Sequence, residues 1–203
     1  MFVLKFLAVF VLSYLIGSIN SSIIVSKIFI KDDIRNHGSK NAGATNALRV
    51  MGKKGGILTL VGDILKTVIS VLIAMLILSE DKNIAIYTAG IAVALGHNFP
   101  VWFGFKGGKG VAVSITAFFF ADYKIALIVL VFSLLIMIIT KYVSLGSVLG
   151  AVLCLVLSLI LRTYDVYYIC FVIVVSLLVI IRHKANIIRL IKGTENKLGS
   201  SKK

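Results

Sequence analysis

Three polar stretches interrupt an otherwise apolar chain, and their residue types suit phosphate chemistry. The first, Asp33 to Gly56, reads DIRNHGSKNAGATNALRVMGKKGG. Its Gly38, Gly43 and Gly52 alternate with Ser39, Asn41, Thr45, Asn46 and Arg49. Glycine lets backbone N–H groups converge on an anion. Ser, Thr and Asn add side-chain donors and can cap a helix starting near Thr45. Arg49 brings a fork that fits phosphate oxygens. The plainer alternative is a flexible basic loop lying on anionic headgroups, but electrostatics alone does not require this density of Gly, Asn and Thr.

The second stretch, Ala94 to Val113, reads ALGHNFPVWFGFKGGKGVAV, with Gly107, Gly108 and Gly110 around Lys109. It is not a Walker loop, because Gly104 and Gly108 have three residues between them and Gly110 follows the lysine. A phosphate held by glycine amides and Lys109 remains compatible with it. Trp102 and Phe103 suit a bilayer interface. The third stretch, Arg182 to Gly199, reads RHKANIIRLIKGTENKLG. On a helix continuing from the preceding apolar run, His183, Asn186 and Arg189 share one face. Gly193 is a natural helix stop, and Glu195 closes the run. Asp63 and Lys66 lie inside an apolar segment, where charges are costly and pair. A structural pair near the site is the expectation there.

These residues need elements to position them, and composition says which kind. The chain has 203 residues, is 59% hydrophobic, carries 15% charged residues and has a mean hydropathy of +1.04. Soluble domains carry roughly 25% charged residues. Several runs approach or exceed the ~18 apolar residues of a bilayer span. The expected fold is an all-α integral membrane protein, one polytopic domain over residues 1–203, with about seven transmembrane helices. They run from about Phe2 to Ile19 (continuing toward Ile30), Gly56 to Leu78, Ile84 to Phe99, Val111 to Ala121, Lys124 to Ile139, Val143 to Leu161 and Tyr164 to Ile181. The fourth is short, about 17 Å as a helix. Gly146 and Gly150 form a GxxxG that reads as close helix packing. A signal peptide is the rival for the first segment; only Lys5 offers a basic start, so a retained span is expected.

The formal charge of +14 would suggest nucleic acid in a soluble protein. Here it maps to loops 27–55 and 104–110, the Lys141 turn and the tail 182–203, which hold 17 of the 22 Lys and Arg residues. By the positive-inside rule these segments are cytoplasmic, the N-terminus is outside and the C-terminus is in the cytoplasm. No nucleic-acid partner is expected. Cys154 and Cys170 lie in apolar runs without metal-ligand spacing.

Together GSKNAGATNALR, GHNFPVWFGFKGGKG and RHKANIIRLIKGTENK closely resemble, in order and spacing, the three motifs of the bacterial acyl-phosphate:glycerol-3-phosphate acyltransferase family, PlsY. Lys40 stands where that family often has Gly, and Thr67 where Gly is usual. The resemblance implies transfer of a fatty acyl group from acyl phosphate to the sn-1 hydroxyl of glycerol 3-phosphate. Products would be 1-acylglycerol 3-phosphate (lysophosphatidic acid) and phosphate, in the first acylation of phospholipid synthesis. It implies a multi-pass protein of the bacterial cell membrane with its active site at the cytoplasmic face. A soluble phosphate acyltransferase that makes acyl phosphate is an implied partner. By resemblance, Ser39, Arg49, Lys109, His183 and Asn186 are catalytic. Gly38, Asn41, Gly43, Thr45, Asn46, His97, Gly107, Gly108 and Gly110 bind substrate phosphate, while Asp63, Lys66 and Glu195 support the structure. No cofactor and no metal are expected.

The chemistry fits the residue types. Acyl phosphate is a mixed anhydride, so direct attack by a positioned hydroxyl needs no acyl-enzyme, only a proton acceptor and charge stabilisation. Two proton acceptors are open: His183, which titrates near neutral pH, and the acceptor's own phosphate, whose second pKa is about 6. The rival class is a transporter of phosphate esters. No inverted repeat is evident, and the basic motifs gather at one face and not at the midplane.

Overall fold

The computed structural model describes residues 2–162 and 165–199. Among them the chain is all helical, in the order α1 (Phe2–Gly17), α2 (Ser21–Phe29), α3 (Ala44–Ile77), α4 (Lys82–Asn98), α5 (Val111–Ala121), α6 (Tyr123–Thr140), α7 (Val143–Leu161), α8 (Val166–Arg182) and α9 (Lys184–Ile191). Tyr164, where the last span was expected to begin, lies outside the described residues.

Five segments are long and apolar enough to cross a membrane: α1 with α2, α3, α4, α6 and α7; α8 with α9, a pair bent by 56°, makes a sixth. The count differs from the expected seven at α5, whose eleven residues cover only about 17 Å. Two further departures come from local chemistry. Asn20 caps α2 by accepting from the Ile23 N–H at 3.2 Å, so the first apolar run is broken into two helices. Gly52, at φ 70°, breaks α3 near its start. Helix therefore begins at Ala44, inside the first polar stretch, and the part after Gly52 makes the crossing.

Helix α4 is the centre of the bundle, with α1, α3, α5 and α8 packed on it. Its Thr88, Ala89, Gly90, Ala92, Ala94 and Gly96 are small, as close helix contact in lipid requires. A Cβ on Gly96 would strike the Tyr14 carbonyl and one on Gly17 would strike Val93, so α1 and α4 nearly touch backbones. Gly146 and Gly150 of α7 lie against Ser133 and Met137 of α6, as the GxxxG spacing predicts.

At one end of the bundle the acidic residues are helix caps. Asp81 accepts from the Ile84 N–H at 3.0 Å, Asp122 from Lys124 and Ile125 at 3.1 and 3.2 Å, and Asp165 from Tyr168 at 2.9 Å. Lys5 pairs with Glu80, and Arg162 with Asp122 at 2.6 Å. All three polar stretches lie at the opposite end.

Candidate active site

The first stretch is folded around Asn46, which is 1% exposed. Its Oδ1 accepts the Ser39 N–H at 2.8 Å, and its Nδ2 donates to the carbonyls of His37 at 3.0 Å and Ile34 at 3.3 Å. Gly38, at φ 56°, turns over this amide, where a Cβ would meet Asn46 Oδ1. Asn46 was expected to bind phosphate. Its polar atoms bind the loop backbone, while Asn46 also borders the open side to which Ser39, Asn41 and Arg49 are turned. Gly43 precedes α3 as its N-cap in extended backbone, and Thr45 sits in the first turn.

The glycine stretch is likewise different from the expected amide cradle. The Gly107 N–H donates to the Asn98 carbonyl at 3.2 Å and the Gly108 N–H to the His97 carbonyl at 3.1 Å. These two amides are therefore taken by the end of α4. Glycine is needed there for closeness: a Cβ on Gly107 would strike the His97 carbonyl, and one on Gly108 the His97 ring and the Ala42 carbonyl. Two guanidiniums that the residue pattern does not single out clamp the loop's carbonyls. Arg182 donates from Nε to Gly108 at 3.1 Å and from Nη2 to Gly107 at 3.2 Å. Arg35, paired with Asp33 at 2.8 Å, donates from Nη1 to Phe103 at 2.8 Å and Lys106 at 3.0 Å. Gly110, at φ 76°, then turns the chain into α5.

Held this way, Lys109 donates to Asn186 Oδ1. Asn186 Nδ2 in turn donates to Glu195 Oε1 at 2.7 Å, which also accepts from Ser144 at 3.0 Å; Arg189 Nε donates to Glu195 Oε2 at 2.7 Å. Asn186 is thus committed on both sides and positions Lys109. Burial lowers the Lys109 pKa to about 8, opposed by the Glu195 charge and helped by those of Arg189, Arg182 and Arg49.

The straight helix expected through His183 is absent. Helix α8, the last crossing segment, ends at Arg182, and the chain bends by 56° before α9. The His183 N–H reaches back to the Val179 and Ile180 carbonyls. Its ring Nδ1 donates to the Val179 carbonyl at 2.8 Å, which leaves the Nε2 lone pair free. Burial, and then the Lys109 charge, lower the His183 pKa to about 4. Asn186 and Arg189 still share a face, now on α9.

A cleft of about 1180 Å³ joins these parts. Its polar side carries Ser39, Asn41, Thr45, Arg49, Lys109 and His183, together with Asn186 and Glu195. Asp63 and His97 reach it as well, whereas Gly38, Gly108 and Lys66 do not line it. Its other side is apolar, built from Ile115 of α5, Leu130, Leu134 and Met137 of α6, and Val143 of α7. Among the described residues Arg49 makes no hydrogen bond or ion pair. The apolar wall could not be read from the sequence, because every span is rich in Leu, Ile and Val. Arg35 and Arg182 sit within the polar stretches, but their targets are carbonyls, which no side-chain pattern reveals.

The family described as glycerol-3-phosphate acyltransferase matches residues 7–193. A glycerol-3-phosphate acyltransferase of Clostridioides difficile (strain 630) is 41% identical, over 98% of each chain. One of Finegoldia magna is 42% identical, over 94% of this chain and 95% of its own. Among solved structures, PlsY, an integral membrane glycerol 3-phosphate acyltransferase crystallised in its glycerol 3-phosphate form, superposes with a TM-score of 0.87 at 38% identity, covering 96% of both chains. Its lysophosphatidic acid form gives 0.83 at 36% identity, over 96% of this chain and 95% of that one. Matched along nearly its whole length by sequence and by structure, the chain belongs to the glycerol-3-phosphate acyltransferase (PlsY) family.

Proposed function

We propose that this membrane enzyme transfers a fatty acyl group from acyl phosphate to the sn-1 hydroxyl of glycerol 3-phosphate, releasing phosphate and lysophosphatidic acid. The observation that carries the reading is the two-sided cleft: free cations and donors on one wall, lipid-like side chains on the other. An acyl phosphate has the same division, and glycerol 3-phosphate supplies the second anion. Arg49 offers a bidentate fork to one phosphate, and Lys109 neutralises the charge that grows on the leaving phosphate.

The acceptor hydroxyl oxygen attacks the acyl carbonyl carbon, and the bond from that carbon to the phosphate oxygen breaks. Phosphate leaves with the electron pair. His183 Nε2 accepts a hydrogen bond from the hydroxyl and aims it. The Nδ1 partner is a carbonyl and not a carboxylate, and burial with the Lys109 charge outweighs what that carbonyl and Glu195 give to an imidazolium. The proton passes to the acceptor's own phosphate dianion, whose second pKa is about 6. Arg35, Arg182, Asn186 and Glu195 act through the groups they hold.

Seventeen of the 22 Lys and Arg residues belong to segments at the motif end or to the tail that follows it, which argues for a cytoplasmic active site in the bacterial cell membrane. A soluble enzyme that makes acyl phosphate would then supply the donor from that side. Purified protein in lipid nanodiscs, offered acyl phosphate, acyl-CoA and acyl carrier protein in competition, should use acyl phosphate alone and release one phosphate per 1-acyl product. Comparable turnover of acyl-CoA, or a 2-acyl product, would overturn the assignment. A cysteine placed at Lys54 should resist impermeant thiol reagents in intact cells and react after lysis; labelling in intact cells would reverse the orientation.

A further inference from the structure

Behind the cleft lies a buried trio that the reaction just described does not use. Asp63 of α3 is 2% exposed, Lys66 of α3 is 6% exposed and His97 of α4 is 3% exposed. Lys66 Nζ has three acceptors: the Ile19 carbonyl at 2.9 Å, Asp63 Oδ1 at 3.0 Å and His97 Nδ1 at 2.9 Å. An ammonium group has three protons to give and no lone pair. With all three contacts made, Nδ1 of His97 must present its lone pair. The direct approach of Nδ1 to Asp63 Oδ1, at 3.5 Å, is too long to compete as a hydrogen bond. Asp63 Oδ1 is itself fixed by Ser21 Oγ at 3.0 Å.

A neutral imidazole with a bare Nδ1 carries its proton on Nε2. That nitrogen has no hydrogen-bond partner among the described residues. It faces the Cα of Gly108, where any side chain would collide with it, and His97 lines the cleft. The trio therefore delivers one N–H donor to the wall where the first polar loop meets the glycine stretch. Lys66 also serves the backbone, because the Ile19 carbonyl lies in the break between α1 and α2, where it would otherwise lack a donor in the bilayer.

We propose that Asp63 and Lys66 are positioning residues that hold His97 as its Nε2–H tautomer, so that His97 donates a hydrogen bond to a phosphate oxygen of a bound substrate. This rests on the acyl-transfer reading for the identity of the anion, but the tautomer can be measured without it. An isolated buried ion pair can usually be replaced by apolar residues without loss of fold, so a pair that sets a tautomer behaves differently from one that only fastens helices.

The test is ¹⁵N NMR of histidine-labelled protein in nanodiscs, where three histidines contribute and His97→Gln assigns the signal. The expected pattern for His97 is an unprotonated Nδ1 and a protonated Nε2. An Nδ1–H tautomer or an imidazolium would overturn the proposal, whatever the enzyme's activity. The kinetic arm compares two paired replacements. Asp63→Leu with Lys66→Met removes the lock and should raise the KM for one phosphate substrate about tenfold, the worth of one hydrogen bond to a charged group, with kcat within about twofold. Asp63→Asn with Lys66→Gln keeps a donor toward Nδ1 and should recover most of that loss. The substrate whose KM rises tells whether the donor's or the acceptor's phosphate is held. A folded Leu/Met variant with both KM values unchanged would overturn the proposal. Should that variant fail to fold, His97 decides alone. Gln, which can place an N–H near the Nε2 position, should bind substrate better than Leu by several-fold. Equal binding by the two would overturn the proposal.

Discussion

The two ends of this bundle use polar residues in opposite ways. At the acidic end Asp81, Asp122 and Asp165 each sit at the start of a helix and accept its first N–H groups. Short turns join the helices, and two ion pairs tie them, Lys5 with Glu80 and Arg162 with Asp122. At the motif end polar atoms are sorted into two tiers. Asn46, Arg35, Arg182, Asn186 and Glu195 bind other protein groups. They leave Arg49, the Ser39 hydroxyl and His183 Nε2 without partners among the described residues. Satisfied groups fasten; groups kept unsatisfied by satisfied neighbours are free to bind something else. The difference between the ends is thus not polarity but that the donors left over at the motif end line a cleft.

That contrast is broken most severely at Lys109. Lys109→Met should reduce kcat/KM by about 10²–10³-fold, the usual cost of deleting one donor aimed at developing charge. The thermal midpoint should change little, since the side chain makes one contact within the fold. A variant within about tenfold of wild type would remove Lys109 from the reaction. Arg49→Lys comes next, with an expected loss of about 10–100-fold: charge is kept, but the fork is lost. Unaltered turnover and acceptor affinity would show that Arg49 binds nothing.

A pH profile sharpens the contrast further. The lowered Lys109 pKa, about 8, places an alkaline limb in kcat/KM: as pH rises through that value the ammonium is lost. The sign for stability is opposite. The folded protein holds this proton less tightly than the unfolded chain, so between about pH 8 and 10 this group makes folding more favourable as pH rises. Falling activity there is not unfolding. Lys109→Arg, which stays charged, should move the limb upward. The acid limb belongs to the substrate phosphate, near pH 6. With His183→Gln the KM for glycerol 3-phosphate should rise about tenfold, and the acid limb should remain. If saturated turnover instead falls about a thousandfold, the range of a lost general base, and the limb vanishes, His183 takes the proton.

Much of this arrangement was legible before any coordinates. Apolar run lengths marked the helices closely, Val111 to Ala121 and Val143 to Leu161 to the residue, because in lipid the backbone has few alternatives to helix. Motif composition marked the end where the cleft lies. Partnerships were not legible. Gly107 and Gly108 read as an anion cradle, but a glycine chosen for closeness and one chosen for a free amide are the same letter. Asn46 and Asn41 are likewise the same residue type, and both line the cleft; only the bonds of the Asn46 amide to the loop backbone separate the loop's organiser from its neighbour. The break at His183 depends on ring and backbone bonds to the preceding turn, which helical spacing does not encode.

The smallest effects should come from the acidic end, and Asp122 is the sharpest place to look. It caps α6 through two N–H groups and pairs with Arg162. Removal of a capping carboxylate costs about 1 kcal/mol of stability. The ion pair adds less, since the Arg162 side chain is 40% exposed and such pairs are worth about 0–1 kcal/mol. Asp122→Ala should therefore lower stability by roughly 1–2 kcal/mol and leave kcat and both KM values unchanged. Asp122→Asn keeps the capping oxygen and loses only the charge, so its cost should be under about 1 kcal/mol. Thermal unfolding in nanodiscs alongside steady-state kinetics measures both. A kinetic change from Asp122→Asn without a stability change would mean that the two ends communicate, and that the acidic caps do more than fasten.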